Sequence, residues 1–267
     1  MTPYVFFLDI DDTILYKKDK SDPGTVSKRV LNAMKTARKM GHKVFINTGR
    51  APSYFTDTIR AFPVDGYVCG CGAYLLKNGK VLYQAAYPDA AILKWMERLS
   101  RPEDPGIIVE GVDKIFRYRN CYWEGDEDWI VSDSVEDFKE FLKHDTIVKA
   151  SICNDIPQEL YEEILPELEQ DFWVIHHPTE HYTECCIPGC SKATGMKMIM
   201  DHLGLEMDRS VAIGDSENDL DMIKAAGIGV VMGQAREEIK QFADRICDDI
   251  YNDGAAKIIE ELIGLNA

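Results

Sequence analysis

The chain has 267 residues, of which 45% are apolar and 28% charged, with a formal net charge of −16. The apolar share excludes general disorder, and the length allows one large domain or two modest ones. So acidic a surface makes nucleic acid a poor partner. The absence of a long apolar run or a signal-like N-terminus points to a soluble, cytoplasmic protein with no membrane partner.

In chain order, Tyr4-Val5-Phe6-Phe7-Leu8 is a short apolar run that predicts a buried strand. Apolar positions at Val26, Val30, Leu31, Met34, Ala37 and Met40 predict a helix over 25–40, closed by Gly41. A second buried strand follows at His42–Asn47, and a third near Tyr67–Cys69 before a glycine-rich corner. This strand–helix–strand alternation implies right-handed crossovers and a parallel sheet. The middle differs. Strand-like runs at 106–110, 115–118, 146–152 and 172–175 mix with helical stretches at 90–99, 135–142 and 160–169, the pattern of an α+β unit inserted into the first domain. The parallel pattern then resumes with a helix at 196–203, a strand at 211–213, a helix at 220–226 stopped by Gly227, a strand at 228–232 and a closing helix near 255–263. The expected organisation is a doubly wound, Rossmann-like α/β core over 1–82 and 186–267, with an inserted α+β cap over 83–185.

Charge follows the same division. Residues 1–82 carry 13 basic and 7 acidic side chains, residues 83–185 carry 9 and 24, and residues 186–267 carry 8 and 15. An acidic middle reads as a solvated face, or as a surface that repels polyanions and admits small phosphate esters. The eight cysteines are scattered through a mid-sized chain without secretory signals, which predicts thiols throughout.

Two acidic clusters carry the chemistry. Asp9-Ile10-Asp11-Asp12-Thr13 ends the first strand, where open α/β sheets place their ligands. Core packing has no use for three acids there, and their mutual repulsion calls for a cation. Gly214-Asp215-Ser216-Glu217-Asn218-Asp219 follows the strand at 211–213 in the same way. If those two strands are neighbours, Asp9, Asp11 and Asp215 converge on one point. Hard oxygen donors with room for water and a phosphate oxygen suit Mg²⁺ better than Zn²⁺. Such a cation would cancel the repulsion that keeps a carboxylate from attacking a phosphate. Between the clusters, Thr48 offers a hydroxyl and a backbone N–H at a strand end. Lys192 begins a helix, where a cation is locally unfavourable and a negative partner is expected.

Asp9-Ile10-Asp11-Asp12-Thr13, Thr48-Gly49-Arg50, Lys192 and Gly214–Asp219, in that order and at these separations, resemble the four motifs of the haloacid-dehalogenase superfamily of phosphatases. The resemblance is to the Cof-like branch with a large inserted cap and covers nearly the whole chain; Asn252-Asp253-Gly254-Ala255-Ala256-Lys257 also looks like that family's C-terminal end. It implies a phosphomonoester hydrolase acting on a small phosphorylated metabolite such as a sugar phosphate, nucleotide or phosphorylated cofactor. Asp9 would attack phosphorus to give an aspartyl-phosphate, and Asp11 would serve as acid and then base. Mg²⁺ would be held by the Asp9 carboxylate, the Asp11 backbone carbonyl and Asp215. Ile10, Thr48, Gly49, Lys192 and Asn218 would bind the phosphoryl group, with Asp219 orienting Lys192 or a metal-bound water. The sequence departs from the family at Asp12, where glycine is usual, and at Cys71-Gly72, where Asn-Gly is common.

Other features read as structural. His176, His177, His181, Cys185 and Cys186 do not have recognised zinc-ligand spacing and look like paired strands entering the core. Arg117 and Arg119 alternate on a strand as a face balancing nearby acids, with Tyr118 and Asn120 opposite. Tyr122, Trp123 and Trp129 read as cap core or lid surface. Two rival functions stay open: a phosphomutase of the same superfamily, and a phospho-receiver module, which is about half this length and keeps its acids on different strands.

Overall fold

The structure is a computed structural model that describes residues 2–17, 24–85, 87–101, 104–119, 128–153, 158–177 and 182–265. Asn120, Tyr122, Trp123 and His181, singled out above, lie outside the described residues, as does Cys121, one of the eight cysteines.

The chain divides into two compact units, one of residues 1–49, 56–83 and 191–267, the other of residues 50–55 and 84–190. In chain order the elements are β1 (Val5–Leu8), α1 (Lys28–Lys39), β2 (Lys43–Asn47), α2 (Asp57–Arg60), β3 (Gly66–Cys69), β4 (Tyr74–Lys77), β5 (Lys80–Gln84), α3 (Asp89–Arg98), β6 (Ile107–Gly111), β7 (Ile115–Tyr118), β8 (Ile130–Ser132), α4 (Val135–Phe141), β9 (Ile147–Cys153), α5 (Gln158–Asp171), β10 (Trp173–His177), β11 (Tyr182–Cys186), α6 (Lys192–Leu203), β12 (Ser210–Gly214), α7 (Leu220–Ala225), β13 (Ile228–Val231), α8 (Glu237–Lys240), β14 (Arg245–Ile246) and α9 (Gly254–Leu262).

The first unit is an α/β fold on an eight-stranded sheet of order β14-β13-β12-β1-β2-β3-β4-β5. From β14 to β3 every pairing is parallel, and β4 returns antiparallel on β3. All four residues of β1 are buried, as its unbroken apolar run requires of a strand covered on both faces. Phe7 stacks on Phe45 with ring centroids 5.7 Å apart, within a core that joins Val5, Val68, Met196, Ile199 and Ala212. Burying each such aromatic contributes about 2–3 kcal/mol. α1 begins three residues later than its apolar spacing suggests because the Ser27 side chain caps it by accepting from the Val30 N–H. Likewise α6 begins four residues before the expected start, at a capping box formed by Ser191 and Thr194.

The second unit is α+β. Its six-stranded sheet has the order β10-β11-β9-β6-β7-β8, antiparallel except for the β7–β8 edge. The paired strands expected around His176 and Cys186 are β10 and β11. His176 Nδ1 lies 2.7 Å from the Tyr161 hydroxyl, beneath a stacked ring contact, so it anchors α5 to the sheet. Trp129 meets Tyr54 edge-on beside Ile108 and Ile115, a packing role. Arg117 lies on β7, but Arg119 falls past its end at φ 59° and lays its guanidinium over the Tyr118 ring. The alternating pair of arginines is thus broken by a turn.

Thiols hold at Cys69, Cys71, Cys185, Cys186, Cys190 and Cys247. They fail at Cys153, which is disulfide-bonded. Among the described residues no helix is long and apolar enough to cross a membrane.

Candidate active site

Leu8, the last residue of β1, pairs with Ile213 on β12 and with Ile46 on β2. The loops after these three parallel strands therefore leave the same edge of the sheet. Sequence order also reverses here, with β2 and β3 on one side of β1 and β12, β13 and β14 on the other. A crevice outside the carboxyl ends of strands at such a reversal is where open α/β sheets bind ligands.

Register then fixes the side chains. The Asp9 N–H donates to the Ile213 carbonyl at 3.0 Å, which carries the β1–β12 pairing one residue past the strand. The chain folds back at once, with the Ile14 and Leu15 N–H groups both donating to the Ile10 carbonyl. Asp9 is buried, while Asp11 and Asp12 are exposed. After β12, Asp219 folds under its own loop and its Oδ2 accepts from the Asp215 and Ser216 N–H groups, each at 3.0 Å.

Lys192, the first residue of α6, is 1% exposed. Its ammonium donates to Asp219 Oδ1 at 2.6 Å, Asp9 Oδ1 at 2.7 Å and Asn218 Oδ1 at 3.0 Å. Those are the three donors an ammonium has, and all are used. The negative partner expected for a lysine at a helix start is thus a pair of carboxylates, from β1 and from the loop after β12. Burial, the largest single influence on Lys192, would lower its pKa, but Asp219 and Asp9 outweigh it and hold the ammonium well above its ordinary value.

The acids remain in excess. Ligand oxygens of Asp9, Asp215 and Asp219 all lie within 4.8 Å of one another. Burial, aided by Asp219 and Asp11, pushes Asp9 up to about 7 against the pull of Lys192. Burial, then Asp219 and Asp9, pushes Asp215 up to about 8. Among the described residues, Asp9 and Asp215 each use only Oδ1 in a side-chain hydrogen bond, the second accepting from the Thr13 hydroxyl at 3.0 Å. Asp219 has both oxygens engaged, one by Lys192 and one by backbone N–H groups. A hard, oxygen-lined corner short of positive charge fits Mg²⁺, with Asp9 and Asp215 placed where they could hold it and Asp219 serving the lysine.

The structure thus brings Asp9, Asp215, Asp219, Lys192 and Asn218 together, while Asp11 lies on the same loop outside the carboxylate cluster. Thr48 and Gly49 follow β2 at the same sheet edge, both buried. The Thr48 N–H donates to the Val68 carbonyl at 2.9 Å, so the sheet takes one of the two groups expected to meet an anion. Arg50 is half-buried and falls in the second unit. No histidine among the described residues belongs to a group of side chains close enough to hold a metal. Two contacts escaped the sequence reading. Thr13 stood in the first motif without a role, and Ser216, whose hydroxyl donates to Asn218 Oδ1 at 2.9 Å, braces the acceptor of Lys192.

Paired acids at a sheet crossover, bound to one buried lysine, mark this edge of the α/β sheet as the candidate active site. The chain matches the haloacid dehalogenase-like hydrolase family over residues 6–259, and it belongs to that family. It is 27% identical over 278 residues to the YkrA protein of Bacillus subtilis (strain 168), with 98% of each chain covered. To the 5-amino-6-(5-phospho-D-ribitylamino)uracil phosphatase YitU of the same organism it is 26% identical over 275 residues, again covering 98% of each. Among solved structures it is similar to BT1666 from Bacteroides thetaiotaomicron, described among phosphatases of the haloalkanoate enzyme superfamily. There the TM-score is 0.81 and the identity 29%, over 99% of this chain and 96% of that one.

Proposed function

We propose that this haloacid dehalogenase-like hydrolase is a Mg²⁺-dependent phosphatase that hydrolyses a small phosphomonoester through an aspartyl-phosphate. The observation that carries the reading is Lys192 bound at 2.7 Å to Asp9 and at 2.6 Å to Asp219, beside Asp215, at the carboxyl ends of β1 and β12. The relatives named phosphatases support the reaction class. The acidic composition favours a small metabolite over a polyanion.

Lys192 steadies Asp9 through Oδ1, and the carboxylate attacks through its other oxygen. A bond forms from Asp9 to phosphorus as the bond from phosphorus to the ester oxygen breaks. Asp11 gives its proton to that departing oxygen. A water then loses a proton to Asp11 as its oxygen bonds to phosphorus, the Asp9–phosphorus bond breaks, and inorganic phosphate leaves with both acids restored. Asn218, the Thr48 hydroxyl and backbone groups of Ile10 and Gly49 are the candidates to hold phosphoryl oxygens, with Lys192 joining them by exchanging its Asn218 bond for a phosphoryl oxygen, while Asp219 keeps Lys192 in line. Bound by Asp9, Asp215 and the Asp11 carbonyl, Mg²⁺ would supply the positive charge that lets an anionic nucleophile approach an anionic ester.

Turnover of a generic aryl phosphate with Mg²⁺ tests this. Asp9→Asn is expected to lose about a thousandfold or more in kcat while still unfolding as a single cooperative transition. Activity retained in that variant, or in excess chelator, would refute the reading. Product identity with a sugar phosphate, which has further hydroxyls to receive the group, decides between hydrolysis and a mutase: free phosphate supports the proposal, and an isomeric ester overturns it.

A further inference from the structure

Asn47 is the last residue of β2 and is fully buried. Its Nδ2 donates to the Lys192 carbonyl at 2.9 Å and meets Met222 Sδ at 3.3 Å. Its Oδ1 is buried with no hydrogen-bond partner. The reverse orientation would set that oxygen against the Lys192 carbonyl, so the amine end is fixed where it is. A buried acceptor left unpaired is costly, so the amide is a poor choice for packing alone. What the amide provides in return is its grip on Lys192.

That grip has a counterpart on the other side of the same peptide group. The Ala193 N–H donates to Asp221 Oδ2 at 3.0 Å, and Asp221 stands in the first turn of α7. The Lys192 carbonyl and the Ala193 N–H belong to one planar amide. It is held from β2 at its oxygen and from α7 at its nitrogen, so its plane cannot rotate without breaking one of the two bonds. The orientation of this plane sets where the Lys192 side chain starts, and the ammonium at its far end must meet three acceptors at 2.6–3.0 Å. Positioning errors of an ångström at a reacting group are expensive in rate.

We propose that Asn47 and Asp221 are paired positioning residues that clamp the Lys192–Ala193 peptide and thereby aim Lys192 at Asp9. The proposal rests on the reading above, in which Lys192 steadies Asp9 and the transferring phosphoryl group. Neither residue touches the reacting atoms; both act through the lysine.

The full-length protein with Mg²⁺ and an aryl phosphate provides the test. Asn47→Leu, which keeps the branched outline at a larger volume, and Asp221→Ala are each expected to lower kcat about tenfold, with KM changed less than about twofold. Asp221→Asn keeps one oxygen for the Ala193 N–H while giving up the acceptor of the Met222 N–H, and is expected to restore kcat to within about twofold. Set against the residual rate of Lys192→Ala, adding Asn47→Leu or Asp221→Ala should cost less than about twofold more, because the side chain they aim is gone. The clamp is overturned if both single variants keep parental kcat, or if their losses persist in full without Lys192. Should Asn47→Leu fail to fold, the half-buried Asp221 carries the same test alone. The two readings fail separately. Parental turnover by Lys192→Ala sinks the role of the lysine, whereas an inactive Lys192→Ala beside fully active Asn47→Leu and Asp221→Ala sinks only the clamp.

Discussion

Asp12 is the residue that departs from the family's usual glycine, and the backbone explains that preference. It sits at φ 53°, in the left-handed region, as the chain loops round between Asp11 and Leu15, which form a parallel bridge. Aspartate tolerates this region better than most side chains, and the residue is exposed, so the position accepts it. The loop is tied from outside by Gln234, whose Nε2 donates to the Asp12 carbonyl while its Oε1 accepts from the Ile250 N–H. A β-branched side chain should not be accepted. Asp12→Val is expected to cost about 1–2 kcal/mol in urea unfolding, and Asp12→Gly to stay within about 0.5 kcal/mol because relief of strain offsets the entropy glycine adds to the unfolded chain. Equal stability of the two variants would mean that the loop holds no such strain. At this scale the sequence was partly legible. Asp9, Asp215 and Lys192 announce themselves because charge at strand and helix ends needs a reason. Asn47 and Asp221 do not, since their partners lie 145 and 28 residues away and are chosen by strand register.

Among the elements, the junction of the β3–β4 corner with α6 governs the site. Gly72, at φ 88°, runs so close to the start of α6 that an added Cβ would lie 2.1 Å from the Ser191 carbonyl oxygen. Ser191 is the N-cap and Lys192 the next residue, so bulk at Gly72 must push the lysine's own helix. Gly41 offers the control. It has φ 94°, but a Cβ added there would have nothing within 4 Å, so alanine meets only backbone strain. Gly41→Ala is expected to cost about 1 kcal/mol with unchanged turnover, and Gly72→Ala to cost at least about 2 kcal/mol and to lose activity besides. Urea unfolding and phosphatase assays on both decide it; an active Gly72→Ala would show that the corner can yield without moving Lys192. The same contrast separates the elements that the sequence disclosed from those it hid. β1, β2 and β12 were legible because strands buried on both faces are continuous apolar runs. β5 and β8 escaped notice because most of their residues are exposed, and the two-residue β14 is too short to carry a pattern.

For the molecule as a whole, the candidate site is a liability until its charge is met. Asp9 and Asp215 sit at about 7 and about 8 against an ordinary 3.8, for the burial and crowding described above. A carboxyl whose folded pKa is raised holds its proton more tightly in the folded state. Its contribution to stability is therefore complete below the unfolded pKa and is lost as pH rises through the folded one. The metal-free protein should accordingly lose stability between pH 5 and about 8, a window in which surface carboxylates are already ionised and contribute little slope. Mg²⁺ held here as proposed would bind the charged forms and compete with protons for them. Its stabilisation should thus be small near pH 5.5 and grow toward pH 8. At a hundred times its dissociation constant it amounts to about 2.7 kcal/mol, or a rise in Tm of about 5 °C for a chain of this size. Thermal melts in chelator and in saturating Mg²⁺ at the two pH values make the comparison, with Asp9→Asn as reference. Removing one acid should flatten the pH dependence in chelator and weaken the response to Mg²⁺. A Mg²⁺-induced shift equal at both pH values, or undiminished in Asp9→Asn, would place the cation elsewhere than between β1 and β12.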